Sequence, residues 1–252
     1  MFHKAIVRRP GHNFADGVTM SALGLPDFQK ALRQHEAYCN ALMQCGVTVT
    51  ILDADPGYPD GCFVEDTAVI TEKIAIITQP GHPSRFGEQE AIAEVLTSHM
   101  VIERISGEGR LDGGDILRAG THFYIGRSDR TNGEGSRQLA SILSGYGYTS
   151  SEVPVVSGLH LKSSVSYIGN NTVVINPAFA QYFAAHDIID TGDEDYAANC
   201  LLVNGLLFFP LGFLNTKEKL IAAGHNLVEL DMSEFRKMDG GLTCLSLLMY
   251  NV

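Results

Sequence analysis

Short apolar segments occur in pairs along the chain, and turn residues separate the two members of each pair. Each segment holds three or four mostly apolar or β-branched residues, which is the composition of a strand. The clearest pair flanks Asn204-Gly205, a dipeptide that favours the tight turn of a β-hairpin. The pattern therefore predicts four hairpins, over residues 67–77, 115–125, 165–175 and 201–209.

Helical periodicity follows most of these hairpins. Apolar residues at helical spacing predict helices over residues 26–45, 88–99, 134–143 and 216–223. Further short strands are predicted after helices, over residues 47–52, 101–105 and 227–230. The repeating unit is thus a hairpin, a helix and a strand.

Five such units account for the chain. Their starts are about 35 to 50 residues apart, a spacing typical of repeat architectures, and lie near Asp66, Asp115, Ser164, Asn199 and Cys244. A strand over residues 4–8 would complete the fifth unit. We therefore predict an α/β fold, a closed ring of five units around a central site, with no exposed sheet edge. The alternative, a doubly wound sheet, would alternate single strands with helices and lack the hairpins.

The composition narrows the classes of protein and of ligand. With 252 residues, 45% of them hydrophobic, the chain can bury a sizeable core as one domain or as two. A net charge of −11 argues against nucleic acid as a partner; a cationic ligand fits it, although a solvated acidic surface explains most of the charge. The longest apolar stretch, residues 201–214, is too short to span a bilayer, and basic residues near the N-terminus argue against a signal peptide.

Cysteine and histidine usage indicates a reducing compartment and no structural metal. The five cysteines are odd in number and form no Cys-x-x-Cys motif, so we expect no disulfide framework and a cytoplasmic location. The nine histidines show neither His-x-x-His nor His-x-x-x-His spacing, so no structural zinc site is expected.

Polar side chains precede the first strand of each hairpin. They are Asp60, Glu65, Asp66, Asp112, Asp115, His160, Lys162, Ser163, Asn199, Asp239 and Cys244. In a ring of equivalent units these positions converge on the axis. A nucleophilic cysteine needs a base such as His160, and the two need only meet in space. Carboxylates would raise the pKa of Cys244, so a cationic ligand that neutralises them would stabilise the thiolate.

These residues also have structural interpretations. Cys244 could be a packing cysteine, since free cysteines are often buried, and His160 alone could be a strand histidine with satisfied hydrogen bonds. Their equivalent positions in the repeat favour the catalytic interpretation. Asp66 and Asp115 could cap hairpins, and we favour Asp115 for that role. Glu65 and Asp66, as neighbours in a strand, would point to opposite faces.

Six short motifs occur in order along the chain. They are Phe63-Val64-Glu65-Asp66, Leu111-Asp112-Gly113-Gly114-Asp115, Arg130-Thr131-Asn132, Leu159-His160-Leu161-Lys162-Ser163, Ala197-Ala198-Asn199-Cys200 and Asp239-Gly240-Gly241-Leu242-Thr243-Cys244. Together they resemble the dimethylarginine dimethylaminohydrolase family of the guanidine-modifying, or pentein, superfamily. The resemblance runs from Arg8 to the C-terminus. It implies a five-bladed ββαβ propeller, with one catalytic domain over residues 1–252.

The resemblance implies hydrolysis of Nω-methylated L-arginines to L-citrulline and methylamine or dimethylamine, with no metal or organic cofactor. Cys244 would attack the guanidinium carbon and form a covalent S-alkylthiouronium intermediate. His160 would protonate the leaving amine and then act as base on the hydrolytic water. Asp66 and Asp112 would hold the guanidinium nitrogens, and Asp112 would also orient His160.

The resemblance also implies substrate-binding residues around this centre. Arg85 and Arg130 would clamp the substrate α-carboxylate, and the main-chain carbonyls of Val18 and Met238 would face its amino group. Val18 lies in a loop, residues 11–24, that matches the family's mobile lid. The further pocket positions are Asp60, Phe63, Glu65, Ser163 and Asp239. We thus expect a small cationic amino acid as substrate of a monomer or homodimer, without nucleic acid or membrane as partners.

Two alternatives stay open. Arginine deiminase releases ammonia from unmethylated arginine, but such enzymes typically carry an extra helical domain, for which 252 residues leave no room. They also have an aspartate at the position of Lys162, where it pairs with unsubstituted guanidinium nitrogens. A lysine there suits a substrate with a methylated terminal nitrogen. A non-catalytic propeller is the other alternative, but it would be expected to lose Cys244 or His160.

Overall fold

The computed structural model describes residues 1–251, and its strands form five separate three-stranded sheets. In chain order they are β1 (Phe2–Arg8), β2 (Thr48–Leu52), β3 (Ala68–Ile70), β4 (Ile74–Ile77), β5 (Val101–Arg104), β6 (Ile116–Ala119), β7 (His122–Arg127), β8 (Thr149–Pro154), β9 (Val165–Tyr167), β10 (Thr172–Ile175), β11 (Asp187–Asp190), β12 (Leu201–Val203), β13 (Leu206–Pro210), β14 (Leu227–Leu230) and β15 (Leu247–Tyr250). All four predicted hairpins are present. Val252, the last residue of the expected domain, lies outside the described residues.

Each sheet has the same construction, an antiparallel pair followed by a parallel outer strand. The orders are β3-β4-β5, β6-β7-β8, β9-β10-β11, β12-β13-β14 and β15-β1-β2. The fifth sheet joins the two ends of the chain. In it, Ala5 of β1 lies opposite Leu248 of the antiparallel β15 and opposite Val49 of the parallel β2. The predicted closure by the N-terminal strand is therefore confirmed, and with it the five-unit α/β fold.

The first strands of the five units surround the ring axis. A cavity of about 190 Å³, which we call the rear cavity, is bordered by residues of all five strands. One from each is Ile70, Arg118, Tyr167, Leu202 and Tyr250. The middle strands form the core of each unit, as in β4, where all four residues are fully buried.

Four helices contact the outer strands of the units. They are α1 (Phe28–Gln44), α2 (Gln89–Thr97), α3 (Gly133–Gly145) and α4 (Leu214–Ala222), and the predicted bounds lie within two residues of theirs. A short helix, α5 (Ser233–Arg236), was not predicted, and the third unit has a 3-10 helix, Pro177–Tyr182, in place of an α-helix. No helix within residues 1–251 has the length and apolar character needed to cross a membrane.

The expectation that closure would leave no exposed sheet edge is wrong. Among residues 1–251 the strands of each sheet pair only with one another, so the outer strand keeps an unpaired edge. Most residues of β8 and β11 are accordingly exposed. The ring closes through side-chain packing between neighbouring inner strands, such as β15 with β3 and β6 with β9, and not through a continuous hydrogen-bonded barrel.

A short 3-10 helix precedes the inner strand of every unit. These helices are Val64–Thr67, Gly113–Asp115, Leu161–Ser163, Asp195–Ala198 and Thr243–Leu245. They carry or flank most of the polar residues that were predicted to converge. Glu65 and Asp66 are therefore neighbours in a helix, and their assignment to a strand is wrong, although they do border different cavities. Cys244 likewise lies in a helical turn ahead of β15.

Candidate active site

A narrow pocket lies where several of these 3-10 helices converge. Its lining is Val18, Asp60, Phe63, Asp66, Arg85, Arg130, Leu159, His160, Met238, Asp239, Gly240 and Cys244. The open volume is about 20 Å³, which is room for about one water molecule. The structure thus brings Cys244, His160 and Asp66 together, although they are far apart in the sequence.

The Cys244 side chain is a neutral thiol at physiological pH. The backbone N–H of Gly241 donates to Sγ at 3.3 Å, and Oγ1 of Thr243 lies 4.0 Å from Sγ. Burial raises the pKa of Cys244 to about 12, and the charges of Glu65 and Asp66 add to this effect. A bound cation would oppose those charges and favour the thiolate.

His160 lies between two carboxylates at the start of the helix Leu161–Ser163. Its Nε2 is 3.0 Å from Oδ2 of Asp112, and its Nδ1 is 3.9 Å from Oδ1 of Asp66. Burial disfavours the charged ring, but the charge of Asp66 and the hydrogen bond to Asp112 outweigh it and raise the pKa of His160 to about 9. The ring is therefore an imidazolium at neutral pH, able to donate a proton.

Asp112 pairs with His160 and does not line the pocket. Its side chain is fully buried, and Oδ1 accepts the backbone N–H of Gly81 at 2.8 Å while Oδ2 faces the imidazole. Unlike Asp66, the side chain therefore has no oxygen that borders the pocket. This placement fits the predicted orientation of His160 and gives no basis for the predicted contact of Asp112 with a substrate guanidinium.

Asp115 is completely buried next to the segment that carries His160. Its Oδ1 accepts the backbone N–H of Leu161 at 3.0 Å, and its Oδ2 accepts the hydroxyls of Ser128 and Thr131, both at 2.6 Å. With every contact inside the protein, Asp115 has the structural placement that we favoured for it.

Asp66 is the carboxylate that reaches the pocket beside His160. Its Oδ2 accepts from Nη1 of Arg85 at 2.5 Å, and its Oδ1 accepts the backbone N–H of Gly114 at 2.8 Å. Burial would raise the pKa of Asp66, but the charges of His160 and Arg85 outweigh it and lower the pKa to about 2. A cation that enters the pocket therefore meets an ionised carboxylate.

The two predicted arginines differ in what they already bind. Arg85 is buried, and its guanidinium donates to Asp66, to Glu88 and to the carbonyl of Phe63. Arg130 is partly exposed, and its guanidinium has no hydrogen-bond or ion-pair partner among residues 1–251. The whole guanidinium of Arg130 is therefore free to take a carboxylate of a ligand, whereas Arg85 keeps its Nε N–H without a partner among residues 1–251.

Glu88, the ion-pair partner of Arg85, escaped the sequence analysis. The one available signal was its spacing, since residues three apart meet on a helical turn. Burial raises the pKa of Glu88 to about 7, although the charge of Arg85 opposes this rise. Arg85 is thus the centre of a buried charge cluster that holds Asp66 in place.

The predicted lid, residues 11–24, is hydrogen-bonded to two carboxylates that line the pocket. The backbone N–H of Val18 donates to Oδ2 of Asp60 at 3.1 Å. Thr19 Oγ1 lies 3.0 Å from Oδ2 of Asp239 and 2.9 Å from the carbonyl oxygen of Lys237, and its one proton is shared between these acceptors. The next N–H along the chain donates to the same oxygen of Asp239 at 2.6 Å. Thr19 was not predicted, because a single loop hydroxyl has no pattern that distinguishes it.

The apolar side of the pocket is formed around Phe63, whose ring lies edge-on to Phe235 at a centroid distance of 6.2 Å. Gly240 packs directly on the Phe63 ring, since an added Cβ would come within 2.2 Å of it. Met238 and Leu159 complete this side. Gly240 and Leu159 were not predicted as site residues, because neither side chain carries reactive chemistry.

Two predicted substrate-binding residues, Glu65 and Ser163, do not line the pocket. Glu65 faces the rear cavity, where its carboxylate contacts Nζ of Lys162 at 2.6 Å and Oγ1 of Thr243 at 2.9 Å. Ser163 Oγ accepts the backbone N–H of His160 at 3.3 Å. These placements do not support direct contact with a substrate, and they direct Lys162 away from the pocket.

One set of side chains within residues 1–251 is close enough to hold a metal ion. It comprises Asp66, Asp112 and His160, whose ligand atoms lie within 4.8 Å of one another. The carboxylates already accept hydrogen bonds from Arg85 and from backbone N–H groups, and the imidazole is protonated at neutral pH. Protein groups therefore already balance the charge of these three side chains. The expectation of a metal-free site stays a prediction.

The chain is similar to known proteins over its whole length. Residues 26–192 match the family model described as N,N dimethylarginine dimethylhydrolase, eukaryotic. The N(G),N(G)-dimethylarginine dimethylaminohydrolase of Pseudomonas aeruginosa is 43% identical over 98% of this chain and 99% of its own. The protein of the same name from Streptomyces coelicolor is 35% identical over 96% and 95%.

Solved structures agree with these similarities. A cysteine-to-serine mutant of the Pseudomonas aeruginosa enzyme, complexed with citrulline, matches with a TM-score of 0.97 at 42% identity, over 99% of this chain and 100% of that one. A histidine-to-glycine variant of a dimethylarginine dimethylaminohydrolase, an adduct with S-methyl-L-thiocitrulline, gives 0.96 at 42% identity over the same shares. The N-terminal domain of ArgZ, a cyanobacterial arginine dihydrolase, gives 0.88 at 18% identity over 99% and 98%, which shows a common fold alone.

Proposed function

This chain belongs to the dimethylarginine dimethylaminohydrolase family, and we propose that it hydrolyses Nω-methylated L-arginines to L-citrulline and methylamine or dimethylamine. The observation that carries the proposal is the placement of Cys244, His160 and Asp66 in one pocket. A thiol, an imidazolium and an ionised carboxylate supply the nucleophile, the acid and the anchor for a cation. Residues 1–252 act as one catalytic domain, in keeping with relatives of nearly equal length.

The substrate is held at both ends. Asp66 accepts hydrogen bonds from the guanidinium, while Arg130, whose guanidinium has no partner in the described part of the chain, binds the α-carboxylate. The carbonyls of Val18 and Met238 receive the α-amino group at the lid. A small cationic amino acid has a partner for each of these groups. One chain supplies all of these contacts, so the site is the same in a monomer and in a homodimer.

In the first half-reaction, Sγ of Cys244 forms a bond to the guanidinium carbon. The resulting tetrahedral adduct breaks its bond to the methylated nitrogen, and His160 gives its proton to that nitrogen as the amine leaves. The product is an S-alkylthiouronium on Cys244. The raised pKa of His160 ensures that the ring carries this proton before the substrate binds.

In the second half-reaction, the ring of His160 is neutral and acts as base. It takes a proton from water, whose oxygen attacks the thiouronium carbon. The adduct then expels the sulfur and loses its hydroxyl proton to solvent, which leaves citrulline. Side chains supply the nucleophile, the acid and the base of both half-reactions, so the reaction needs no metal and no organic cofactor. Five free cysteines fit a reducing cytoplasm.

Methylated arginines are the preferred guanidines. The side chain at position 162 is a lysine that binds Glu65 behind the pocket, so no carboxylate from this position meets an unsubstituted terminal nitrogen. Asp66 alone anchors the guanidinium, which leaves the methylated nitrogen beside His160 without a competing anion.

A citrulline assay tests the proposal across asymmetric dimethylarginine, monomethylarginine, arginine and agmatine. We expect turnover of the two methylated substrates to exceed that of arginine, and Cys244→Ser to abolish it. Cys45→Ser, which changes a thiol at the end of α1 outside the pocket, is the matched control and should retain full activity. Faster hydrolysis of arginine would refute the substrate class, and an active Cys244→Ser variant would refute the covalent route.

A further inference from the structure

The reaction leaves one proton without an acceptor in the pocket, that of the Cys244 thiol. His160 is already protonated when the substrate arrives, so the ring cannot take it. Asp66 is engaged by Arg85 and Gly114, and its low pKa makes it a poor base. The other carboxylates that line the pocket, Asp60 and Asp239, accept hydrogen bonds from the lid, and within residues 1–251 neither is hydrogen-bonded to Sγ. The hydroxyl that does contact the sulfur leads to another side of it.

Thr243 connects the sulfur to such an acceptor. Its Oγ1 lies 4.0 Å from Sγ of Cys244 and donates to Oε2 of Glu65 at 2.9 Å. The side-chain N–H of Asn199 donates to the same hydroxyl at 3.1 Å. A hydroxyl has one proton and two lone pairs. Glu65 takes the proton and Asn199 one lone pair, so the second lone pair is available to the thiol of Cys244.

Glu65 has the surroundings of a proton acceptor. The carboxylate is buried, and burial raises its pKa, while the charge of Lys162 opposes the rise. Lys162 Nζ holds Oε1 at 2.6 Å, which leaves Oε2 directed at Thr243. Both charged groups border the rear cavity and are absent from the lining of the substrate pocket. A proton on Glu65 is thus kept apart from the leaving amine.

We propose that Thr243 and Glu65 form a proton relay that activates Cys244; the relay rests on the proposed function. As the C–S bond forms, the thiol proton passes to Oγ1 of Thr243, and the hydroxyl proton of Thr243 passes to Oε2 of Glu65. The electron pair of the S–H bond becomes the C–S bond, and Glu65 becomes a neutral acid. When the C–S bond breaks, the pair returns to sulfur and the proton travels back.

The relay also removes part of the electrostatic barrier to attack. The charge of Glu65 disfavours the thiolate, and it disappears at the moment when the proton arrives. Glu65 therefore destabilises the thiolate in the free enzyme and promotes its formation during the reaction by accepting the proton. This dual action makes the relay separable from a static charge effect by experiment.

The variant Glu65→Gln keeps the shape of the side chain and removes the base. We expect kcat for asymmetric dimethylarginine to fall about 100-fold, the contribution typical of a proton acceptor. The pKa of Cys244, measured by ultraviolet thiolate absorbance, should fall, because a neighbouring negative charge is lost. A lower thiol pKa with an unchanged or higher kcat would show a static charge and overturn the relay.

Two variants of Thr243 test whether its hydroxyl carries the proton. Thr243→Val removes the hydroxyl and should lower kcat by about the same 100-fold, whereas Thr243→Ser keeps it and should stay within about threefold of the wild type. Because a relay can be lost only once, the double variant Thr243→Val, Glu65→Gln should be no slower than either single variant. Full kcat in Thr243→Val, or losses that multiply in the double variant, would overturn the proposal.

The wild-type protein assayed in parallel separates the two proposals. Absence of wild-type turnover would remove the proposed function, whereas normal turnover with full activity in Glu65→Gln would remove the relay alone. Circular dichroism and melting temperatures check that each variant folds. If Glu65→Gln does not fold, the Thr243→Val and Thr243→Ser comparison decides, since neither change alters charge.

Discussion

His160 and Asp112 form the pair that sets the protonation state of the candidate active site, with Nε2 of the ring 3.0 Å from Oδ2 of the carboxylate. The other oxygen of Asp112 accepts the N–H of Gly81, so the carboxylate cannot rotate away. Nδ1 of the ring is left facing Asp66. With an anion on each side, the imidazole stays a cation up to a pH of about 9.

Asp112→Asn should therefore shift the alkaline limit of activity to lower pH. Asparagine keeps the shape of the side chain but carries no charge, so the pKa of His160 falls. Wild-type kcat is expected to decline above a pH of about 9, where the ring loses the proton that the leaving amine needs. The pH profile of kcat measures this limit in both proteins. Asp187→Asn, on the exposed strand β11, is the control, and an unmoved limit in Asp112→Asn would contradict the role of His160 as acid.

The close approach of His160 to Asp66 depends on a glycine. In Gly114→Ala the new Cβ would lie 2.6 Å from Nδ1 of His160 and 2.8 Å from Oδ1 of Asp66, so one or both must move. We expect kcat to fall about 100-fold, because displacement by a fraction of an ångström disrupts a catalytic arrangement, and stability to fall by about 1–3 kcal/mol. Gly145→Ala, where the added atom meets open space, should leave kcat unchanged and the urea midpoint unchanged or slightly higher, because alanine is the better helix former. Wild-type activity in Gly114→Ala would mean that this approach is not needed.

Arg130 can be tested through a substrate that lacks the group it binds. Arg130→Met should raise KM for asymmetric dimethylarginine about 100-fold, since a charge-assisted bidentate contact is lost. Turnover of agmatine, which has no carboxylate, should not change. Steady-state kinetics on both substrates give the comparison, with Arg137→Met, an exposed position on α3, as control. Equal losses on both substrates would show that Arg130 acts on something other than the carboxylate.

The hairpins and most helices could be predicted because their signals are local. Asn204-Gly205 between two apolar segments contains both the turn and the strands, and the helix bounds follow from apolar periodicity. Repeat spacing then placed Cys244 and His160 in equivalent units. A closed ring brings equivalent positions of its units together, and the N-terminal strand closes the ring by completing the fifth unit.

Side-chain direction could not be predicted in the same way. The family resemblance put both Glu65 and Asp66 at the substrate, whereas a strand would have pointed them to opposite faces. A helical turn sends Asp66 into the pocket and Glu65 to the rear cavity. The sequence does not distinguish Arg85 from Arg130 as a ligand for the substrate carboxylate. In the structure Arg85 is occupied by Glu88, and the burial of this pair could not be read from their spacing alone. Contacts between distant loops, such as Thr19 with Asp239, are likewise set by the tertiary structure.

The charge of His160 should make stability depend on pH in the alkaline range. The pKa of His160 is about 9 in the folded protein and has its ordinary value of 6.5 in the unfolded chain, so the native state binds the extra proton between these values. Its contribution to the free energy of unfolding is full below a pH of about 6.5 and is lost as the pH rises through about 9. Urea unfolding at intervals across this range should show the decline in the wild type and a smaller one in His160→Gln. Parallel declines would assign the effect to other groups.

The predicted lid must open before a substrate can enter, since the pocket has only about 20 Å³ of free volume. Thr19→Val removes the hydroxyl proton that is donated to Asp239 or to the carbonyl of Lys237, and so destabilises the closed loop. This hydrogen bond stabilises the closed loop whether or not a substrate is bound. Its loss should therefore speed association and dissociation by a similar factor, about fivefold for a bond of about 1 kcal/mol. The affinity should barely change.

This expectation separates a latch from a substrate contact, because loss of a substrate contact would weaken affinity and speed dissociation alone. Stopped-flow binding of asymmetric dimethylarginine to the Cys244→Ser protein measures both rates, and Leu23→Trp in the loop provides a signal in a chain without tryptophan. Ser21→Ala changes a lid hydroxyl that bonds only within the loop and should leave the rates unaltered. A change of affinity in Thr19→Val with a constant association rate would identify Thr19 as a binding residue instead of a latch.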